Sequence, residues 1–389
     1  MTGLFVVLQA AALALLLARL APGRRRQPPV GPVPEGVSGT SVSVVVPTFN
    51  EARRIGPCLA GLSRQGPLVR EVIVVDSGSS DGTGDLVRQA SVSDPRFRIV
   101  TDPPLPAGWV GKVWALQHGL SQASGEWVLG VDADTDPKPG MVAGAVTAAR
   151  RLGYDVVSFS PRFAGMTTAE QWIQPSMLLT LVYRFGAVGA ANPAPSRVMA
   201  NGQCFLARRH VMLEHGGYDA ARASWADDVT LARFLAHRGV RVGFLNGSRL
   251  YDVRAYHGAG HMWREWGRSF DVSDAATRTQ QWLDVAFVMV VQGLPIPLLL
   301  MQASGVIGAG GPWERALLGI NLGLLATRVL MLWALRGSYA HRSFGFWLSP
   351  LSDPLAALRL MVSSARRPTS WRGRRFVAGA SAETSTRVR

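Results

Sequence analysis

Trp127-Val128-Leu129-Gly130-Val131-Asp132-Ala133-Asp134 is the stretch that decides the fold. Five apolar residues in a row read as a short strand buried on both faces, the habit of a parallel sheet. Two carboxylates follow at once. In open α/β sheets, ligands gather outside the carboxyl ends of the strands. Two acids one residue apart at such an end can hold a hard divalent cation through oxygen ligands, while a nucleotide diphosphate fills the remaining positions. A solvated turn would also accommodate an acid pair, so the flanking segments decide between the two.

Strand-like and helix-like runs alternate ahead of this point: Val42–Val46 then Ala52–Arg64, Glu71–Val75 then Gly84–Gln89, Phe97–Val100 then Lys112–Gln122. Such a βαβα series predicts a parallel sheet with right-handed crossovers. Asp155–Ser160 and Val240–Leu245 add two further strands. The first strand runs into Pro47-Thr48-Phe49-Asn50-Glu51, and the second ends in Asp76-Ser77-Gly78-Ser79-Ser80-Asp81-Gly82-Thr83. Asp76, at a strand tip, is placed to accept hydrogen bonds from a uracil or guanine edge, and Asp81 suits the N-cap of the next helix. No Gly-x-Gly-x-x-Gly follows the first strand, which argues against a dinucleotide-binding oxidoreductase.

In this order, Pro47–Glu51, Asp76–Thr83 and Asp132-Ala133-Asp134 resemble glycosyltransferase family 2, over roughly residues 42 to 271. The resemblance implies the GT-A fold, an α/β nucleotide-diphospho-sugar-binding architecture with a Rossmann-like, mostly parallel sheet. It implies that Pro47, Glu51 and Asp76 line the nucleotide pocket, and that Asp132 and Asp134 hold Mg2+ or Mn2+ against the diphosphate. Asp136 falls where relatives can place another ligand, although a turn before Pro137 explains it equally well. Lys112, opening a helix, would complement phosphate charge; a solvated surface lysine is the alternative. The string Gly108-Trp109-Val110-Gly111-Lys112 is similar to a subgroup acting on carotenoid and other polyisoprenoid acceptors.

Ala200-Asn201-Gly202-Gln203-Cys204-Phe205-Leu206 resembles the segment that lies along the bound sugar, with Gly202 permitting close backbone approach. Trp225-Ala226-Asp227-Asp228-Val229 resembles the acidic pair whose second member is the catalytic base. That makes Asp228 the group that takes the acceptor proton and Asp227 its orienting neighbour, each raising the pKa of the other. Capping of a helix by Asp227 is compatible with this. Farther on, Arg264 and Arg268 share a helical face at i, i+4 and could steady the leaving diphosphate. An amphipathic collar with its tryptophans at headgroup level competes with that reading. The Gln-x-x-Arg-Trp motif of processive relatives is absent here, which argues against long-polymer synthesis. His257 reads either as a distal metal ligand or as structural.

The chain has 389 residues and a formal charge of +15, and 48% of its residues are hydrophobic. The apolar residues cluster toward the ends. Leu4–Leu20 followed by Arg24-Arg25-Arg26 reads as an uncleaved anchor that holds the next domain on the cytoplasmic side. The expected organisation is an anchor over 1–22, a linker over 23–40, a catalytic domain over 41–271 and an interfacial segment over 272–283. Two transmembrane helices then occupy 284–335, kinked at Pro295 and Pro297, with Arg328 inside the second. Residues 336–389 read as an interfacial or re-entrant segment and a basic cytoplasmic tail. An intramembrane arginine is either functional or snorkelling toward the interface. Cys58 and Cys204 read as small core residues. Arginines flanking apolar runs, with no zinc-finger spacing and no basic region joined to heptads, point to membrane lipid and away from nucleic acid.

These readings converge on an integral membrane enzyme, its catalytic domain cytoplasmic, at a bacterial inner or thylakoid membrane. The expected reaction is metal-dependent, inverting transfer of a hexose from a UDP- or GDP-sugar to the hydroxyl of a lipid-soluble isoprenoid acceptor. Carotenoid 2′-O-glycosylation is the first expectation. Hopanoid, dolichyl-phosphate or ceramide acceptors are rivals, as is a catalytically silent membrane protein that binds nucleotide sugar or lipid.

Overall fold

The computed structural model describes residues 2–34, 39–191, 194–254, 256, 258–269, 275–308, 310–365, 370, 371, 374 and 375. The chain divides into two compact units. A sheet unit is built from Val30–Phe159 and Ala200–Gly243, and a helical unit from Met1–Pro29, Ser160–Met199 and Phe244–Arg366.

The sheet has seven strands: β1 Val42–Thr48, β2 Val69–Asp76, β3 Phe97–Val100, β4 Trp127–Val131, β5 Val156–Ser160, β6 Cys204–Arg208 and β7 Val242–Asn246. Their spatial order is β3-β2-β1-β4-β6-β5-β7. The first three neighbouring pairs are parallel, while β6 runs antiparallel to both β4 and β5. Valines dominate the centre because both sheet faces are covered: Val42, Val44, Val45 and Val46 on β1 and Val72, Val74 and Val75 on β2 are fully buried. The chain winds from β1 outward to β3 and then returns to place β4 on the other side of β1. That reversal is a topological switch point, where an open sheet leaves a crevice at its strand ends.

The helix Gly111–Gln122 packs directly on β1 and β2. A Cβ at Gly119 would overlap the Val45 side chain, so glycine is what lets the helix axis approach the sheet. This close seat fixes the helix N-terminus, and with it Lys112, over the strand ends. Cys58 and Cys204 are buried and unbridged, as the sequence suggests.

The helical unit gathers the terminal segments around one apolar core that includes Leu16, Met177, Tyr183, Trp266, Val288, Leu324 and Leu360. Among the described residues, three helices are long and apolar enough to cross a membrane: Gly3–Arg25, Arg278–Ala303 and Pro312–Ser338. The second begins at Arg278, where the Thr277 side chain accepts from Gln280 N–H, six residues before the expected start of that span. Pro295 and Pro297 remove two helical donors. The chain answers with a π-turn over Met289–Gly293, closed by Leu294 N–H on the Met289 carbonyl at 2.9 Å.

In this unit the structure decides two alternatives that the sequence leaves open. Arg328 does not snorkel; it is buried and pairs with buried Asp353 through Nε at 2.8 and 2.9 Å. The tryptophans of the helix Ala259–Ser269 do not form an exposed collar, because Trp266 is buried in the core and Trp263 packs against it. The helix Thr168–Phe185 has no counterpart in the apolar pattern, although its capping box, Thr167 with Glu170, is visible in the sequence. The segment around Pro350 is broken helix, Phe344–Trp347, Ser349–Ser352 and Asp353–Ala365. One side of it is buried (Phe346, Ala357, Leu360) and the other exposes Phe344, Leu351 and Leu358.

Candidate active site

The site lies wholly within the sheet unit, at the carboxyl ends of β1, β2 and β4. Two loops are stitched together first. Asn50, in a left-handed conformation at φ 56°, donates its N–H to Ser79 Oγ and accepts from Ser80 N–H through Oδ1, both at 2.9 Å. Glu51 N–H reaches Thr83 Oγ1 at 2.8 Å, and Asp81 accepts from Ala52 N–H at 2.9 Å. Asp81 also holds Thr83 N–H at 3.1 Å, although Gly82 is the residue at the helix cap. Asp81 is therefore a brace between loops, not the N-cap the sequence suggests. Asp76 accepts from Ser79 N–H at 3.2 Å and sits beside Pro47 and Thr48 at the strand tips. The Glu51 carboxylate is buried and meets Arg54 Nη2 at 2.8 Å, so it braces the loop through a cation three residues on.

The charged centre forms where β4 ends. Lys112 Nζ lies 2.8 Å from Asp132 Oδ1 and 3.0 Å from Oδ2. A cation in the first turn of a helix opposes the helix dipole, so this lysine answers to its carboxylate neighbours and not to local helix preference. Burial works against its charge, but Asp132 and Asp227 outweigh burial and raise its pKa. Antiparallel pairing brings Cys204 opposite Val131, which delivers Asn201–Gln203 beside Asp132. Gly202 N–H then donates to Asp228 Oδ2 at 2.7 Å. A Cβ at Gly202 would come within 3.1 Å of Lys112 Nζ and 3.6 Å of Asp228 Oδ2, so backbone, lysine and acid share one small space.

Asp227 and Asp228 occupy the first turn of the helix Asp227–His237, with Ala226 as the cap residue, so Asp227 is not the cap. Asp228 Oδ1 also accepts from Val229 N–H at 2.8 Å. Burial raises the pKa of both acids while Lys112 lowers it. Asp134 is likewise raised, first by burial and then by Asp132, with Arg54 and Lys112 opposing. Its Oδ1 is buried with no hydrogen-bond partner. A buried orphan carboxylate oxygen beside a second acid is a costly arrangement unless a cation completes it. The pair Asp132 and Asp134 thus fits a hard divalent ion.

The structure does not bring every expected residue here. Asp136 turns to the surface and meets Arg64 at 3.8 Å, and among the described residues no three His, Cys, Asp or Glu side chains are grouped to hold a metal. Arg264 is exposed on a helix of the helical unit; the Arg268 side chain and His257 lie outside the described residues. Arg54 is the contributor that sequence reading missed, and its signal is the Glu51-x-x-Arg54 spacing.

A mostly parallel sheet with a switch point, two strand-end acids and a facing acid pair are the features of the GT-A fold. The family model for glycosyl transferase family 2 matches residues 43–216. An N-acetylglucosaminyltransferase of Bradyrhizobium elkanii is 38% identical over 138 residues, covering 30% of this chain and 71% of that protein. Glycosyltransferase AglE of Haloferax volcanii is 31% identical over 136 residues, and this chain spans 43% of its length and matches with 34% of its own. Among solved structures, the mannosyltransferase PcManGT from Pyrobaculum calidifontis, in complex with GDP-Man and Mn2+, shares the fold. Its TM-score is 0.54 at 21% identity, over 94% of this chain and 98% of that one. The chain belongs to glycosyl transferase family 2.

Proposed function

We propose that this enzyme transfers a hexose, with inversion, from a UDP- or GDP-sugar to the hydroxyl of a membrane isoprenoid. The observation that carries the reading is the convergence of Lys112, Asp132, Gly202 and Asp228, with Asp134 presenting an unpartnered oxygen beside them. Asp76, Pro47 and the Asn50–Ser80 turn receive the nucleoside. Asp132 and Asp134 hold Mg2+ or Mn2+, which when bound would offset the charge growing on the departing diphosphate. The Mn2+ complex of the Pyrobaculum calidifontis enzyme supports this assignment. Lys112 supplies a fixed positive charge at the same place.

Asp228 is assigned as the base. Its Oδ2 is aimed by Gly202 N–H and its Oδ1 by Val229 N–H, so the carboxylate is held in one orientation for an arriving hydroxyl. The bond from acceptor oxygen to anomeric carbon forms as the bond to diphosphate breaks, and the acceptor proton passes to Asp228. Asp227 shares the helix turn and keeps the local charge high. The helices that can cross a membrane support a lipid acceptor met at the bilayer, with the sheet unit cytoplasmic and a carotenoid the first candidate. Mass spectrometry of lipid extracts from host cells with and without the gene tests this. The expected result is an isoprenoid that loses one sugar when the gene is disrupted; an unchanged lipid profile contradicts the acceptor assignment.

A further inference from the structure

Gly130 interrupts the apolar run of β4 and leaves a space that another side chain enters. A Cβ there would lie 3.6 Å from Leu116 Cδ2 and 3.7 Å from the Tyr218 hydroxyl. In a strand, residues two apart share a face and stand about 7 Å from each other. The pairing of β4 runs on past Val131, with Asp132 N–H on the Gln203 carbonyl at 3.3 Å. The tip of Tyr218 therefore sits on the face of β4 that carries the Asp132 side chain, one pleat repeat below it, beside the helix Gly111–Gln122. That helix also presents Lys112.

The chain clamps the Tyr218 turn at two points. Tyr218 N–H donates to Gln117 Oε1 at 2.8 Å, and Gly217, at φ 66°, presses so closely on the same amide that a Cβ would overlap it. Farther on, Val110 N–H donates to the Arg222 carbonyl at 2.7 Å, which ties the turn to the first residue of the same helix. The ring is held in place and is only 5% exposed. Its hydroxyl nevertheless makes no hydrogen bond among the described residues. A buried hydroxyl left unbonded is costly, and phenylalanine would fill the same volume without that cost. Burial raises the pKa of this hydroxyl; Asp227 raises it further, Lys112 lowers it and Asp132 raises it, so the hydroxyl feels all three charges. Lys112 is committed to Asp132 through two contacts, whereas the Asp227 carboxylate accepts from no side chain among the described residues.

We propose that Tyr218 is a positioning residue, whose hydroxyl donates to the Asp227 carboxylate when substrate occupies the site and so fixes the acid pair for proton transfer. This role rests on the reading of Asp228 as the base.

The test compares the full chain in detergent as native protein, Tyr218→Phe, Tyr154→Phe and Asp228→Asn. Each is assayed for transfer from radiolabelled UDP-glucose and GDP-mannose to host lipid extract, and for thermal unfolding. Tyr218→Phe is expected to lower kcat about tenfold, with KM for the nucleotide sugar and Tm unchanged, because the ring and its packing are kept. Tyr154→Phe, whose ring packs on Gly243 at the β7 edge of the sheet, should leave all three quantities unchanged. A native kcat in Tyr218→Phe, or a fall in kcat accompanied by a lower Tm or a raised KM, overturns the proposal. Asp228→Asn separates the two readings. If it keeps the native kcat, the base assignment itself fails; if it is inactive while Tyr218→Phe matches native protein, the positioning role alone fails.

Discussion

Two charged clusters in this molecule use similar groups to opposite ends. In the helical unit, Arg328 and Asp353 form a charge-balanced set. Nε bridges both carboxylate oxygens, Nη2 donates to Ser176 Oγ and Ser349 Oγ at 3.0 Å each, and Gln292 donates to Asp353 at 3.1 Å. One cation meets one anion, and hydroxyls fill most of the remaining positions. In the sheet unit, Asp132, Asp134, Asp227 and Asp228 surround Lys112, and Asp134 keeps an oxygen that nothing among the described residues satisfies. The first cluster is balanced in charge by the chain itself, although Arg328 Nη1 is buried without a hydrogen-bond partner. The second is charged beyond what the chain can balance, and that imbalance is what a bound cation and diphosphate would correct. Both sit in low-dielectric surroundings and each keeps a buried unpartnered atom, so neither burial nor an orphan atom separates the two clusters; charge balance does.

The comparison breaks most severely at Asp134. Asp134→Ala should abolish transfer, assayed with radiolabelled nucleotide sugar on host lipid extract, and undiminished turnover in EDTA would remove the metal role. Asp228→Asn is expected to retain donor binding while lowering kcat by about 10²–10⁴; a near-normal rate would remove the base assignment. Arg328→Met should destabilise the helical unit by about 3–5 kcal/mol, because it strands a buried carboxylate. Adding Asp353→Leu should recover most of that loss in detergent unfolding, and failure to recover would show that the pair is more than a charge-balanced structural set.

Two smaller effects sharpen the contrast. Gly202→Ala should cost roughly tenfold in kcat/KM, about 1.4 kcal/mol, since the new methyl displaces the Lys112 ammonium. The acid limb of kcat/KM offers the finest probe. Burial raises the pKa of Asp227 and Asp228, so activity should fall with decreasing pH while still above the ordinary carboxylate range. Lys112 opposes that rise, so Lys112→Met should move the limb to higher pH, by about one unit or more. A limb that stays in place or moves down would show that Lys112 is not coupled to the acids.

The parts of this design legible in the sequence are those encoded locally. Val42–Val46 and Trp127–Val131 announce buried parallel strands by unbroken apolar runs, and the acids at their ends follow from strand geometry. The antiparallel strand Cys204–Arg208 was legible only as a segment beside the sugar, since nothing in five residues specifies pairing direction. The helix Thr168–Phe185 is hidden because Gln171, Gln174 and Pro175 interrupt its apolar face. Those polar groups have distant partners: Gln171 accepts from Ser343 N–H at 2.7 Å, and Tyr339 bonds Gln174. Arg328 stood out in an apolar run, but its meaning depended on Asp353, which the sequence marks only as a polar residue in a broken segment. Asp136 shows the reverse error, a residue with the right spacing from Asp134 whose side chain leaves the site for Arg64.

The most direct measurement is a Mn2+ titration followed by electron paramagnetic resonance, with and without UDP or GDP, on native protein and on Asp134→Ala. The account expects the nucleotide to tighten Mn2+ binding in the native protein and to have no such effect in the variant. Equal Mn2+ and nucleotide binding by both proteins would contradict it.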